Sequence, residues 1–220
     1  MAHIPKGNKS MELIINYAID EFAQSGSKAS INTICSKYNI SKGRMYHFFA
    51  SKEDLLCCCF EYSLDKISKT IESFEVDPSL SVERNFHKYY INIINHWLKN
   101  PNEIIVIKLE SKAASLSFTK ENKNRIIKKR NEWSDTVTKK FLEIISKKNM
   151  KTKIDEEMTN RMVSILYNQL FLTFSNDLIS ALKDKDYARA KQMKINLLKY
   201  FDIVIETFLY GIIDEKKQDI

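Results

Sequence analysis

Residues 31–55 read INTICSKYNISKGRMYHFFASKEDL, and the order of turn signals within them decides the fold. Ser30 stands where a helix N-cap is wanted, and Ile31, Ile34 and Cys35 then repeat at helical spacing as far as Tyr38. Asn39 interrupts the pattern, being a residue that tolerates the left-handed backbone region better than most. Ser41 opens a second short helix to about Phe49, in which Met45 and Phe49 lie four apart and face inward. Ser51 then caps a long third helix, with Asp54 at the third position in place of the usual capping-box Glu. Two short helices about three residues apart, the second starting on basic and hydroxyl side chains, make a helix-turn-helix whose second helix fits a DNA major groove. With Met45 and Phe49 inside, Lys42, Arg44, Tyr46 and His47 are left on other faces, able to donate to DNA. Gly43 has no side chain at the start of that helix, so backbone amides can approach a phosphate in the favourable field of a helix N-terminus.

Upstream, Met11, Ile14, Ile15, Ala18, Ile19 and Phe22 line one face of a preceding helix that stops at Gly26, a residue suited to the left-handed position after a helix. Charge points the same way. Residues 22–52 contain Lys28, Lys37, Lys42, Arg44 and Lys52 and no acid, although the whole chain has 28 acidic residues against 35 basic ones. An acid-free basic segment is the electrostatic footprint of a polyanion partner; the alternative, a solvated face, is about as good for Lys28 and Lys37 taken singly.

These residues resemble the TetR/AcrR family of bacterial transcriptional regulators. Residues 31–55 carry the resemblance, and Ala18, Phe22 and Gly26 of the preceding helix extend it over roughly residues 9–56. The resemblance implies roles position by position. Tyr46 and His47 fall where the family hydrogen-bonds phosphates, Lys52 where a lysine meets the DNA backbone from the next helix, and Thr33 where a hydroxyl at the start of the second helix does so. Ser41, Lys42 and Gly43 begin the recognition helix, with Lys42 and Arg44 at positions that face base edges. Arg44 is the stronger candidate for sequence readout, because its planar fork pairs two ways with guanine, worth about 1–3 kcal/mol of discrimination. Three residues depart from the family pattern: Cys35 and Tyr38 stand in place of small alanines and Asn39 in place of the turn glycine.

The rest of the chain is helical in period. Four glycines and three prolines in 220 residues amount to about 3 per cent, against roughly 12 per cent in ordinary proteins. Sandwiches, barrels and doubly wound sheets need more turn residues than that, so the expected class is all-α with about nine helices. Asp77-Pro78 opens a helix to Lys99, and Asn100-Pro101-Asn102-Glu103 repeats the start signal with a first-position proline. Further helices run from near Ser117–Glu121 to Lys148, from Ile154 to near Lys183, and from about Tyr187 to Ile213. The division is then a helix-turn-helix DNA-binding domain over residues 1–50 and a larger helical domain over 51–220.

The resemblance implies that the larger domain binds a small molecule and dimerises. Of its many large apolar side chains, Tyr90, Trp97, Tyr167 and Phe171 are the candidate ligand contacts, with His96, Asn168 and Gln169 as polar partners. Aromatics at helical spacing are more often core than pocket. The last two helices carry Met162, Ile165, Leu166, Leu170 and Met193, Leu197, Phe201, Val204, Phe208, more apolar surface than one stripe needs. In the resembled family such helices pair between subunits, and the resulting dimer reads a near-palindromic double-stranded operator with two recognition helices about one DNA turn apart.

No run of about 18 apolar residues and no signal-peptide block occurs, so a soluble cytoplasmic chain without a membrane partner is expected. Cys35 and the triplet Cys57-Cys58-Cys59 lack disulfide-framework and CxxC spacing, and the four histidines form no i,i+4 pair, so neither a metal site nor a cofactor is expected. Gly-rich phosphate loops, HExxH and GxSxG are absent, which leaves nothing in favour of an enzyme. The expected function is a ligand-responsive repressor released from its operator by a small apolar or aromatic molecule, the helix after Ser51 acting as lever. The alternative is a regulator whose larger domain senses thiol oxidation or binds a protein.

Overall fold

A computed structural model describes residues 9–111, 118–145 and 186–212, together with positions 177, 180, 181 and 184. The architecture is all-α. Among the described residues eight α-helices follow one another: α1 Lys9–Ser25, α2 Ile31–Lys37, α3 Lys42–Phe48, α4 Lys52–Glu72, α5 Val82–Lys99, α6 Pro101–Ser111, α7 Lys120–Ile145 and α8 Tyr187–Ile212, with a single 3-10 turn, Gly26–Lys28, after α1. The helix expected from Ile154 to Lys183, and with it Met162, Ile165, Leu166 and Leu170, lies outside the described residues apart from isolated positions. No described helix is long and apolar enough to cross a membrane.

Local chemistry sets the N-terminal boundaries. Gly26 takes φ 59, the left-handed turn that ends α1. Ser30 Oγ accepts the Thr33 amide at 3.0 Å and Ser41 Oγ accepts the Arg44 amide at 3.2 Å, so both short helices start where their hydroxyl caps stand. Asn39 has φ 53 and the Ile40 amide bonds back to the Cys35 carbonyl at 2.9 Å, the six-to-one closure of a Schellman turn. At α4 the Asp54 amide donates to Ser51 Oγ at 3.1 Å while Asp54 Oδ2 accepts the Ala50 amide at 3.0 Å, a reciprocal cap built with Asp.

One boundary differs from the sequence expectation. α5 starts at Val82 rather than at Asp77-Pro78. Asp77 Oδ1 accepts both the amide and the hydroxyl of Ser79, at 3.0 and 2.6 Å, and Asn85 Oδ1 takes the Asp77 amide at 2.9 Å, so the segment closes into a turn. Ser81 then caps the helix through the Arg84 amide.

By packing, the chain falls into two compact units, Met1–Lys66 with Asn100–Glu132 and Ile67–Lys99 with Trp133–Ile220. A division at residue 50 separates the helix-turn-helix by its motif. The packing unit extends further because Leu55, Leu56, Cys58 and Cys59 of α4 and Val106 of α6 share one core with Ile15, Ala18 and Phe22 of α1, Ile34 of α2 and Met45 of α3. Met45 and Phe49 are fully buried in it, as their spacing predicts. Burying a side chain of the size of Phe22, Phe49 or Phe60 contributes about 1.5–3 kcal/mol. The unusual Tyr38 stacks on Tyr17 of α1 with centroids 4.1 Å apart, using the space to extend the apolar contact between α1 and α2. In the second unit Tyr90 of α5 stacks on Phe201 of α8 at 3.7 Å and Phe86 packs on Phe141 of α7 at 4.7 Å. Lys194 Nζ donates to Asn95 Oδ1 at 2.6 Å beside them.

Asn39 is a non-glycine residue at positive φ, which puts its tolerance of that region to a direct test. Asn39→Val is expected to lower stability by about 1–2 kcal/mol and Asn39→Gly to leave it unchanged or raise it, read as shifts in the urea midpoint.

Candidate nucleic-acid interface

The exposed face of α3 is what remains once Met45 and Phe49 are committed to the core. Lys42, Gly43, Arg44, Tyr46 and His47 are all exposed, Tyr46 by 55%. Tyr46 reaches toward an open groove of about 490 Å³ that is also lined by Lys28, Ser30 and Asn32 from the start of α2 and by Ala50, Ser51 and Lys52 from the start of α4. Lys52 Nζ lies across it and donates to the Ser27 carbonyl at 3.0 Å. A lysine ammonium has three donors, so that bond leaves two for another acceptor. The start of α4 adds the positive end of a 21-residue helix, with Glu53 and Asp54 in its first turn. An anion placed there meets two cations, a phenol and a helix N-terminus together.

The expected site residues therefore separate into two groups. Tyr46 and Lys52 line the groove, and Thr33 stands next to it, its hydroxyl within 2.8 Å of Ser30 Oγ in the α2 cap. Ser41 caps α3, and Lys42, Gly43, Arg44 and His47 lie on the exposed helix outside the groove lining. Arg44 Nη2 donates to Ser10 Oγ of α1 at 2.7 Å, which holds its guanidinium beside the start of α3. The His47 ring meets Phe48 edge-on at 4.9 Å. Sequence reading left out Ser30 and Asn32 and valued Lys28 only as one charge. Their local signal in the sequence is the Ser30 cap, which fixes where α2 starts.

A Cβ built at Gly43 meets nothing within 4 Å and its φ is not positive. Neither crowding nor backbone conformation demands glycine there, although glycine weakens a helix.

The candidate ligand residues have a different setting. Tyr90 and Trp97, two turns apart on α5, are 2% and 5% exposed in the core of the second unit, and burial, with Tyr89 adding to it, pushes the Tyr90 hydroxyl well above its ordinary pKa. Tyr167 and Phe171 lie outside the described residues. His96 Nδ1 pairs with Thr70 Oγ1 at 2.8 Å.

Cys57, Cys58 and Cys59 are fully buried and point different ways: Cys57 toward the Asn122 carbonyl of α7, Cys58 toward Arg125 Nη2 at 3.2 Å and Cys59 toward the Ile15 carbonyl of α1. Burial pushes the Cys57 and Cys58 thiols up to about 12 and Cys59 well above the usual thiol range. Thiols held neutral and covered are poor nucleophiles. No group of three His, Cys, Asp or Glu among the described residues is placed to hold a metal ion.

Residues 14–57 match the family described as bacterial regulatory proteins, tetR family. Over 114 residues the chain is 32% identical to YuxN of Bacillus subtilis, an uncharacterized HTH-type transcriptional regulator; the match covers 50% of this chain and 37% of that protein, so the chain spans little more than a third of its curated relative. Among solved structures, a tetR-family protein from Mesorhizobium loti superposes with TM-score 0.71 at 16% identity, covering 96% of this chain and all of that one. FadR of Bacillus subtilis, solved with stearoyl-CoA, superposes with TM-score 0.61 at 15% identity over 86% of this chain and 96% of its own. At those identities the structures show a shared fold.

Two outcomes are expected from the isolated protein. Gly43→Ala raises stability by about 0.5–1 kcal/mol, seen as a higher urea midpoint, since the site is open and alanine is the better helix former. The cysteine triplet resists iodoacetamide in mildly alkaline buffer while the protein is native and reacts once it is unfolded in urea, followed by mass spectrometry of the peptide that holds it.

Proposed function

We propose that the chain is, through its N-terminal head, a member of the tetR family of bacterial regulatory proteins and a DNA-binding transcriptional regulator that acts as a ligand-released repressor. The observation that supports this most is the groove, where Lys28, Tyr46, Lys52 and the start of α4 converge beside an exposed α3. Phosphates on one DNA strand lie against the groove, and α3 enters the major groove with Arg44 and Lys42 turned to base edges. Thr33, Ser41, Gly43 and His47 supply further backbone contacts.

A single head offers little affinity at physiological salt, so the reading requires two. The chain works as a homodimer through its last two helices and reads a near-palindromic operator whose half-sites stand about 34 Å apart. α8 has the surface for it: Tyr200 and Ile203 are 56% and 62% exposed. The effector is an apolar or aromatic small molecule taken up among the α5 aromatics, Tyr90 and Trp97 included, with Tyr167 and Phe171. The acyl-CoA bound by the FadR neighbour is in keeping with an apolar effector. Release is a population shift, which demands that the effector bind one spacing of the two heads better than the other. The buried, neutral cysteine triplet argues against the alternative of a thiol-oxidation sensor.

The test compares binding, at two salt concentrations, to a labelled duplex from upstream of the chain's own gene and to a scrambled duplex of equal length. Sequence-preferring binding with two protomers per site is the expected result; equal, weak binding to both duplexes, persisting after genome-wide site selection, sinks the reading. On the selected site Tyr46→Phe and Lys52→Ala are expected to weaken binding to every duplex alike, with Lys52→Ala also reducing the salt slope by about one contact and the neutral Tyr46→Phe leaving it unchanged, whereas Arg44→Ala flattens the ranking of operator variants. Gly43→Ala weakens binding while stabilising the fold, a split that a purely structural glycine would not give.

A further inference from the structure

The α7 residue Arg125 belongs to the same compact unit as the helix-turn-helix, and its guanidinium is engaged by several side chains. Nη1 donates to Asp54 Oδ1 at 2.7 Å, Nε and Nη2 form a fork on the two Glu61 oxygens at 3.0 and 2.6 Å, and Nη2 also meets Cys58 Sγ at 3.2 Å. The three charged side chains are only 11–20% exposed. Burial works against the charge, but the bonds to Glu61 and Cys58 more than offset it, and the Arg125 pKa is raised above the ordinary arginine value. A partly buried ion triad of this kind is a weak source of net stability, because desolvation cancels much of the attraction; what it gives is fixed geometry.

The geometry it fixes is that of the groove. Asp54 has two oxygens with two different tasks: Oδ1 takes Arg125, and Oδ2 takes the Ala50 amide. Ser51 Oγ closes the same turn on the Asp54 amide. Ala50, Ser51 and Lys52 are the α4 side of the groove, so the carboxylate that Arg125 orients is the one that holds the corner from which Lys52 projects. Without the guanidinium, the Asp54 side chain is free to turn toward water and the corner loses an anchor.

We propose that Arg125 is a positioning residue for the nucleic-acid groove, acting from α7 through Asp54 on the Ala50–Lys52 corner, without itself touching DNA. The proposal rests on the reading of the groove as a phosphate-binding surface. It assigns to a side chain far from the helix-turn-helix in sequence a share in DNA affinity that sequence comparison of the head alone would not reveal.

Charge makes the test sharp. Asp54→Asn and Glu61→Gln each remove one negative charge from the head, so the long-range field alone would strengthen DNA binding in both. Positioning predicts a split. The full chain is titrated at low salt against a labelled random-sequence duplex, which reads phosphate contacts only, at a temperature where circular dichroism shows each variant folded. Lys52→Ala is expected to weaken binding about ten-fold, Arg125→Met and Asp54→Asn by a similar factor, and Glu61→Gln, whose amide oxygen still accepts from Arg125, to bind as tightly as the parent or tighter. The Lys52→Ala/Arg125→Met double variant is expected to bind about as weakly as either single one, because both remove the same contact.

If Lys52→Ala weakens binding while Arg125→Met and Asp54→Asn bind like the parent, the proposal is overturned and the phosphate-binding reading stands. Loss in Glu61→Gln equal to that in Asp54→Asn, or losses that multiply in the double variant, reduces Arg125 to a fold-stabilising role and also overturns it. Parental binding by Lys52→Ala itself removes the groove reading and the proposal together. Should Arg125→Met fail to fold, Asp54→Asn against Glu61→Gln decides alone.

Discussion

Asp54 divides its carboxylate between a backbone amide and a partly buried cation, and the turn between α3 and α4 depends on that division. The oxygen on Ala50 turns the chain sharply at the end of α3, and the oxygen on Arg125 ties the same turn to α7. α3 is only seven residues long, too short to hold its shape by backbone hydrogen bonds alone. It is held by Met45 and Phe49 below, by the Ser41 cap at one end and by the Asp54 turn at the other. An exposed recognition surface can be precise only if its buried side and both ends are fixed.

That arrangement separates two jobs which a DNA-binding surface has to combine. Cations and hydroxyls around the start of α4 suit a phosphate, which is the same in every sequence, and Arg44 on the free face of α3 suits a base edge, which is not. Ser10 holds one guanidinium nitrogen of Arg44 at 2.7 Å. A second nitrogen and the remaining hydrogen still present a two-pronged face, so the contact restricts the side chain without using up its donors.

The aromatic content of the second unit has the opposite character. Tyr90, Phe86, Phe141 and Phe201 pack on each other at van der Waals distances, and the polar side chains near them are paired, as His96 is with Thr70 and Lys194 with Asn95.

Sequence alone determined the parts that depend on neighbours in the chain. The caps at Ser30, Ser41 and Ser51, the left-handed turns at Gly26 and Asn39 and the inward pair Met45 and Phe49 are short-range effects, each readable from residue type and spacing. The late start of α5 was misjudged because the Asp77 carboxylate prefers Ser79 to a helical turn, a competition between two local bonds that spacing does not rank. What only the tertiary structure decided is which distant groups meet. Arg125 stands 71 positions from Asp54 and 64 from Glu61, in a helix that reads by composition as a run of solvated lysines and arginines. Nothing in such a run marks one arginine as partly buried, because burial is a property of what packs against it; the face α7 lays against α4 selects Arg125 and leaves Lys128 in water.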